Sequence, residues 1–239
     1  MSATAVSSGP TRVGDLPAWR SVPAGDGPWP GLVLVHEAFG LDDNMRGIAD
    51  RMAGSGFLTL APDLLSRGRR TACLRATMTA LRRGSGQAFD DIEAARAQVA
   101  GDERCTGRVG VIGFCMGGGF ALVLAGRPGW DAAAPNYGML PRTPDVLDGA
   151  CPVVASYGGR DRWLRGSAAK LESALAARGV PHDVREYASA GHSFLNPEDL
   201  SAWYLAPMTR LVLHAGPEPG AAADAWARID AFLAEHLAA

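Results

Sequence analysis

The sequence predicts an α/β protein whose doubly wound, mostly parallel sheet carries helices on both faces. Strand-like and helix-like runs alternate along the chain, which is typical of parallel strands joined by right-handed crossovers. Polar residues able to do chemistry follow several of these strands, and sheets of this class bind ligands at the carboxyl ends of their strands. No internal repeat or linker divides the chain.

Short strand-like runs are separated by longer helix-like runs. The predicted strands, in chain order, are Ala18–Pro23, Leu32–His36, Phe57–Ala61, Val109–Gly113, Ala132–Tyr137, Val153–Tyr157 and Asp183–Tyr187. The predicted helices are Asp43–Ala53, a broken pair from Thr71 to Ala100, Met116–Ala125, Ser167–Arg178 and Ala221–Leu237. Helices therefore fall between most of the strands, as parallel pairing requires.

The composition fits one globular domain. Of the 239 residues, 47 % are hydrophobic and 20 % are charged, an ordinary balance for a single α/β domain with a substantial core. Residues 1–12 are rich in Ser, Ala and Thr, and we expect them to form a disordered tail. Residues 13–239 are expected to form the domain.

Charge and hydropathy narrow the class of partner. The net charge of −2 gives no reason to expect nucleic acid or a membrane. No apolar run approaches the ~20 residues of a membrane-spanning helix, and the N-terminus shows no secretory signal pattern. We therefore expect a cytoplasmic monomer or homodimer whose partner is a small-molecule substrate.

The cysteines show neither a metal-binding nor a disulfide pattern. None of the four is spaced as C-x-x-C or accompanied by paired histidines, so we expect no metal, no other cofactor and reduced thiols. Cys73, Cys105 and Cys151 are interpreted as structural residues.

The most informative segment is the turn around Cys115. A β-branched strand leads into Gly113-Phe114-Cys115-Met116-Gly117 and then into a helix of small residues. This is the nucleophile elbow Gly-x-Ser-x-Gly with cysteine at the nucleophile position. The glycines permit a tight strand-to-helix turn, and the helix N-terminus favours a thiolate. No serine has glycine both two residues before and two residues after it.

Two other interpretations of this turn stay open from the residues alone. A cysteine beside a glycine-rich turn is often a small core residue, and turns of this kind also bind phosphates. The segment does not, however, contain the G-x-G-x-x-G pattern of a dinucleotide-binding turn.

Partners for Cys115 follow later strands in the chain order nucleophile, acid, histidine. Asp161 ends a Gly-Gly-Arg-Asp turn after one predicted strand, and His192 follows the next strand beside Gly191. His192 would take the thiol proton and return it to the leaving group, while Asp161 would fix its tautomer. The remaining candidates lack this placement and are His36, His182, His214, His236, Asp145, Asp148 and Asp183.

The chain resembles the dienelactone hydrolase (carboxymethylenebutenolidase) family. The matching segments span residues 33–41, 61–64, 113–118, 158–161 and 190–194, so that the similarity extends from about Gly31 to the C-terminal helix. The resemblance implies a single-domain α/β-hydrolase fold. It also implies a cofactor-independent Cys-Asp-His triad that opens an enol-lactone through a thioester.

The resemblance assigns further roles around the triad. Glu37 matches a glutamate that contacts the resting thiol and accepts its proton when an anionic substrate binds. The backbone N–H groups of Ala38 and Met116 match the oxyanion hole, where such donors are worth ~3 kcal/mol each. A solvated or helix-capping charge at the strand end is the alternative for Glu37.

The residues expected to bind the substrate differ from those of the family. The family holds a substrate carboxylate with two arginines, and Asn196 occupies one of these positions here. An amide suits a carboxylate less well than a guanidinium does. Arg75 is a candidate for the other position, although each arginine of its region could equally belong to a solvated helix face. Phe39 and Trp163 are candidates to line the pocket, and residues 196–219 are a candidate lid or a packed surface loop.

Three functions are therefore considered. The favoured one is a hydrolase of a small ester or lactone, less anionic than dienelactone. An acyltransferase or thioesterase would use the same triad with another acceptor. A non-catalytic α/β-hydrolase that binds a small molecule is disfavoured by the complete triad.

Overall fold

One eight-stranded sheet organises the molecule. The structure is a computed structural model that describes residues 6–197 and 212–238. The strands are β1 (Ser7–Val13), β2 (Leu16–Val22), β3 (Trp29–Val35), β4 (Leu58–Pro62), β5 (Cys105–Phe114), β6 (Ala132–Asn136), β7 (Val153–Gly158) and β8 (His182–Tyr187). Their order is β1-β2-β4-β3-β5-β6-β7-β8. From β4 to β8 all neighbours are parallel, whereas β1 and β2 run antiparallel at one edge.

Helices cover both faces of the sheet. They are α1 (Asp43–Gly54), α2 (Arg70–Arg83), α3 (Gln87–Ala100), α4 (Met116–Ala125), α5 (Ser167–Ala176) and α6 (Pro219–His236). Arg51 of α1 binds Asp230 of α6 at 2.8 Å, so these two helices share one face. The helices α3, α4 and α5 belong to crossovers that run the opposite way across the sheet, and right-handedness places them on the other face. The helix α2 packs on α3 and α4.

The predicted fold class is confirmed. Each predicted strand and helix is present, with its ends moved by a few residues. Leu32–Val35 in β3 and Val109–Phe114 in β5 are buried throughout, because both strands are covered on two faces and therefore consist of nearly continuous apolar residues. These central strands fix the position of the turns that follow them.

The expected disordered tail is wrong for residues 7–12. Ser7–Val13 forms β1, which pairs along its whole length with β2 through a tight turn at Gly14 and Asp15. Gly14 has a φ of +53°, a conformation that suits such hairpin turns. The strand escaped prediction because it lies at the sheet edge with mostly exposed residues, so that no apolar alternation marks it. Residues 1–5 lie outside the described part.

Two other expectations concern membrane-spanning helices and the candidate lid. In the described ranges, no helix combines the length and apolar character needed to cross a membrane. The candidate lid over residues 196–219 falls largely on residues 198–211, which lie outside the described part of the chain.

Candidate active site

The predicted site residues gather at the carboxyl edge of the sheet. Glu37 lies just beyond β3, and Cys115 follows β5 directly. Asp161 and His192 lie beyond β7 and β8. Since β3 and β5 are neighbours and all four strands point the same way, the tertiary fold places these side chains on one edge.

Cys115 occupies a strained turn that only its glycine neighbours allow. Its φ is +53° and its ψ is −112°, which is unfavourable for a residue with a Cβ and typical of functional turns. A Cβ on Gly113 would overlap the backbone of Gly117, and a Cβ on Gly117 would overlap the carbonyl of Val35. The elbow pattern therefore reflects close packing of β5, β3 and the start of α4.

The imidazole of His192 is held by a buried carboxylate. His192 Nδ1 lies 2.6 Å from Asp161 Oδ2, and both side chains are buried. The other oxygen of Asp161 accepts hydrogen bonds from the N–H groups of Trp163 at 3.0 Å and Leu164 at 3.4 Å. Because Nδ1 is engaged, the free nitrogen is Nε2, which has no partner among the described residues.

The surroundings favour a positively charged His192. Burial lowers the pKa of this imidazole, but the charge of Cys115, followed by the hydrogen bond and charge of Asp161, outweighs it and raises the pKa to about 10. The imidazole of His192 therefore holds a proton more strongly than an exposed histidine does.

Glu37 is a buried carboxylate fixed by neutral groups. It accepts hydrogen bonds from the hydroxyl of Ser193 at 3.0 Å and from Asn196 Nδ2, which lies 3.3 Å from each carboxylate oxygen. Burial raises the pKa of Glu37, against the opposing effects of the His192 charge and these two hydrogen bonds. Glu37 therefore accepts a proton more readily than an exposed glutamate does.

The predicted oxyanion hole consists of two backbone N–H groups, those of Ala38 and Met116. Met116 is the first residue of α4, so its N–H has no acceptor within the helix. The N–H of Ala38 donates to no described residue. Both groups are consequently available to a ligand.

The candidate pocket residues are more dispersed. Arg75 is exposed and lines a cleft of about 1030 Å³ between α2 and α3, which includes none of the four residues above. Arg70 is the α2 arginine that approaches the loop after β3, where its guanidinium packs beside Gly40. Trp163 is 56 % exposed, and its ring centroid lies 6.4 Å from that of His192. Phe39 is half-buried next to Ala38.

Sequence reasoning missed Tyr137 and Ser193. Tyr137 follows β6 with a φ of +39°, and its buried ring lies 5.1 Å from that of His192. Burial, followed by the charges of Glu37 and Cys115, raises the pKa of Tyr137. Its position at the end of a predicted strand was the available signal. Ser193 was overlooked because its contact with Glu37 joins residues far apart in the chain.

Within residues 6–197 and 212–238, no group of three or more His, Cys, Asp or Glu side chains is arranged to hold a metal ion.

Several known proteins are similar in sequence to this chain. The dienelactone hydrolase family model matches residues 16–237. The chain is 30 % identical over 222 residues to a carboxymethylenebutenolidase of Rhodococcus opacus, covering 86 % of this chain and 81 % of the relative. It is 28 % identical to a carboxymethylenebutenolidase of Pseudomonas putida, with coverage of 77 % and 82 %.

Solved structures share the fold. A dienelactone hydrolase-like promiscuous phosphotriesterase from metagenomic libraries superposes with a TM-score of 0.75 at 24 % identity, covering 98 % of this chain and 99 % of that one. A dienelactone hydrolase from Anabaena variabilis superposes with a TM-score of 0.67 at 20 % identity, with the same coverage. With the family match over most of its length, this α/β chain belongs to the dienelactone hydrolase family and is a carboxylic ester or lactone hydrolase.

Proposed function

We propose that Cys115, His192 and Asp161 act as a catalytic triad that hydrolyses a small ester or lactone through a thioester intermediate. The observation that carries the proposal is the buried His192–Asp161 pair at 2.6 Å, which leaves Nε2 free and whose imidazole is influenced by Cys115. A nucleophile, a base and an orienting acid in this relation are the general signature of covalent acyl transfer.

The proposed acylation starts at the Cys115 sulfur. With the Cys115 proton already on His192 Nε2, the thiolate Sγ attacks the acyl carbon to give a tetrahedral oxyanion. Collapse of this intermediate breaks the acyl C–O bond, and the leaving oxygen takes the proton from His192. In a lactone, the leaving oxygen stays attached to the acyl chain.

Deacylation reverses these roles. His192 accepts a proton from water, whose oxygen attacks the thioester carbon. The C–S bond breaks, the acid product leaves, and the proton on His192 restores the thiol or remains as part of an ion pair. Asp161 keeps its negative charge throughout and stabilises the imidazolium.

Three neighbouring groups support this chemistry in the proposal. The N–H groups of Ala38 and Met116 stabilise the oxyanion, since fixed dipoles in a buried site need little reorganisation. Glu37, with its raised pKa, is a second acceptor for the thiol proton. It is held in place by Ser193 and Asn196.

The surroundings favour a substrate of low charge. The Asn196 amide is bound to Glu37 and is neutral, while Arg75 lines a separate cleft. Arg70 is the cation beside the loop after β3. We therefore propose a small ester or lactone that is less anionic than dienelactone and does not need a carboxylate held by two arginines.

The proposed setting is the cytoplasm. All four cysteines are unpaired, and a reactive thiolate persists best in a reducing compartment.

The test compares wild type with Cys115→Ala on p-nitrophenyl acetate and on a dienelactone. We expect wild type to hydrolyse the acetate and Cys115→Ala to lose at least about 10³-fold in kcat/KM. Mass spectrometry of a quenched reaction is expected to show acetyl on Cys115. A dienelactone rate no higher than the acetate rate supports the less anionic substrate.

Cys151→Ser is the matched control. Burial raises the pKa of the Cys151 thiol to about 12, so its loss is expected to leave hydrolysis within about twofold of wild type. Full activity in Cys115→Ala refutes the triad. Transfer of the acyl group to an added alcohol in preference to water points to an acyltransferase.

A further inference from the structure

His36 is a fully buried histidine that the mechanism above leaves unused. It is 0 % exposed and follows the last residue of β3, directly before Glu37. A buried titratable side chain needs hydrogen-bond partners for its ring nitrogens. Both partners of His36 are backbone groups.

The two partners define the form of the ring. The N–H of Leu64 donates to His36 Nε2 at 3.0 Å, so that this nitrogen is unprotonated. His36 Nδ1 lies 2.6 Å from the Glu37 carbonyl oxygen. Because a carbonyl only accepts, Nδ1 carries the hydrogen and donates it. The ring is therefore neutral, with the proton on Nδ1.

The charges facing His36 are consistent with this form. Burial lowers the pKa of His36, and the charge of Arg70 adds to that effect. The hydrogen bond to Glu37 and the carboxylates of Asp63 and Asp42 oppose it. The nearer carboxylate, Asp63, lies 3.8 Å from Nε2.

The hydrogen bond to Glu37 fixes the orientation of a peptide plane. The peptide between Glu37 and Ala38 is trans, so its C=O and N–H groups point in opposite directions. The carbonyl of Glu37 is drawn toward His36 and also accepts from the N–H of Gly40 at 3.1 Å. The N–H of Ala38 is thereby turned away from His36.

The backbone just before this peptide lies beside the nucleophile elbow. The carbonyls of Val35 and His36 close directly on Gly117, near the start of α4. Glu37, in turn, contacts Ser193, the neighbour of His192. The Ala38 N–H, turned away from His36, follows directly on the backbone that lies against the elbow.

We infer that His36 is a positioning residue that holds the Glu37–Ala38 peptide so that the Ala38 N–H stabilises the oxyanion. The inference rests on the proposed acyl transfer at Cys115. It gives a function to the contact between the turn after β4 and the end of β3, because the N–H of Leu64 binds the other side of the same ring.

Two substitutions separate the two contacts of the ring. In His36→Asn, the amide nitrogen can take the place of Nδ1 and donate to the Glu37 carbonyl, while the acceptor for Leu64 is lost. In His36→Gln, the amide oxygen can take the place of Nε2 and accept from the Leu64 N–H. No donor then remains at the position of Nδ1, so the hydrogen bond to the Glu37 carbonyl is lost. We expect His36→Gln to lower kcat for p-nitrophenyl acetate by about 10- to 100-fold with little change in KM, a loss below that of deleting an oxyanion donor. His36→Asn is expected to stay within about threefold of wild type.

Alkylation of Cys115 by iodoacetamide separates positioning from general damage. This displacement forms no oxyanion, so both variants are expected to react within about twofold of the wild-type rate. Equal losses of alkylation and hydrolysis in the two variants would overturn the inference and leave His36 as a structural anchor. Loss of hydrolysis in His36→Asn with alkylation intact contradicts it as well, so this variant decides the question even where His36→Gln does not fold.

The proposed function is tested separately by the wild-type enzyme. If wild type does not hydrolyse the ester in a Cys115-dependent manner, the acyl transfer itself is wrong. If wild type does so and His36→Gln retains its full kcat, only the role of His36 is wrong.

Discussion

His36 and His192 show how strongly partners decide the chemistry of one residue type. Both rings are buried, which alone lowers the pKa of histidine. The N–H of Leu64 requires a neutral acceptor at His36. At His192, the carboxylate of Asp161 and the charge of Cys115 reverse the effect of burial. Two equally buried histidines are therefore suited to opposite tasks.

Glu37→Gln separates the charge of Glu37 from its shape. Because burial raises the pKa of Glu37, activity that uses its carboxylate is expected to fall as the pH drops through a value above that of an ordinary glutamate. The Gln variant should have a kcat lower by about tenfold near neutral pH and should lack this acid limb. A pH–rate profile measures both effects, and an unchanged profile removes Glu37 from the proton transfer.

The same variant has a predicted effect on folding. A raised native pKa means that the charged carboxylate is disfavoured in the fold, so this group's contribution to stability is lost as the pH rises through the native pKa. Glu37→Gln is therefore expected to have a higher Tm than wild type at pH 7, with the difference shrinking toward pH 4. Thermal unfolding at the two pH values gives the comparison.

The nucleophile elbow shows how one element depends on its neighbours. Its pattern is visible in the chain, but the reason for each glycine is a contact with another part of the fold. Gly113 faces the backbone of Gly117, and Gly117 faces the end of β3. The helix α4 that follows is buried along its whole length, so it cannot shift without disturbing the residues packed around it. Strain at Cys115 is thus maintained by packing on several sides.

Gly117→Ala is expected to destabilise the protein by about 3 kcal/mol or to prevent soluble expression, because its Cβ would overlap the backbone of Val35 and His36. Gly47→Ala in α1 is the matched control, since a Cβ there meets nothing within 4 Å. That change should raise stability by about 0.5–1 kcal/mol through helix propensity. Urea denaturation of both variants checks this, and wild-type stability of Gly117→Ala would falsify the packing argument.

Sheet topology assembles the site from distant parts of the chain. The order of the parallel strands puts the turns after β3, β5, β7 and β8 on one edge. The helices α1 and α6 cover the same face of the sheet, where they bring an early and a late segment of the chain into contact. Arg51 joins them by two hydrogen bonds to Asp230, at 3.1 and 2.8 Å, and by stacking on Trp226.

Asp230→Asn tests this connection between the two ends of the chain. Both charged side chains are about one-third exposed, so we expect a modest loss of about 0.5–1 kcal/mol in unfolding free energy, smaller in high salt. Asp145→Asn is the control, because Asp145 is 86 % exposed and its ion pair with Arg178 is long, at 3.9 Å. Its change should stay below about 0.5 kcal/mol. Equal losses in the two variants would contradict the predicted role of Arg51 and Asp230.

The sequence alone determined the fold class, the element order and the candidate residues Glu37, Cys115, Asp161 and His192, because apolar runs and strand-end turns are local signals. It did not reveal β1, whose exposed edge position leaves no apolar pattern. It offered Arg75 as one candidate for binding the substrate, and this role stays a prediction; in the structure Arg75 lines the cleft between α2 and α3.

Only the tertiary structure decided which polar groups meet. Asn196 reaches back to Glu37 across the chain, and Tyr137 packs against His192 from another strand end. The neutral form of His36 depends on the Leu64 N–H. Hydrogen bonds and burial between residues far apart in sequence set these contacts and the resulting pKa shifts, and no local pattern encodes them.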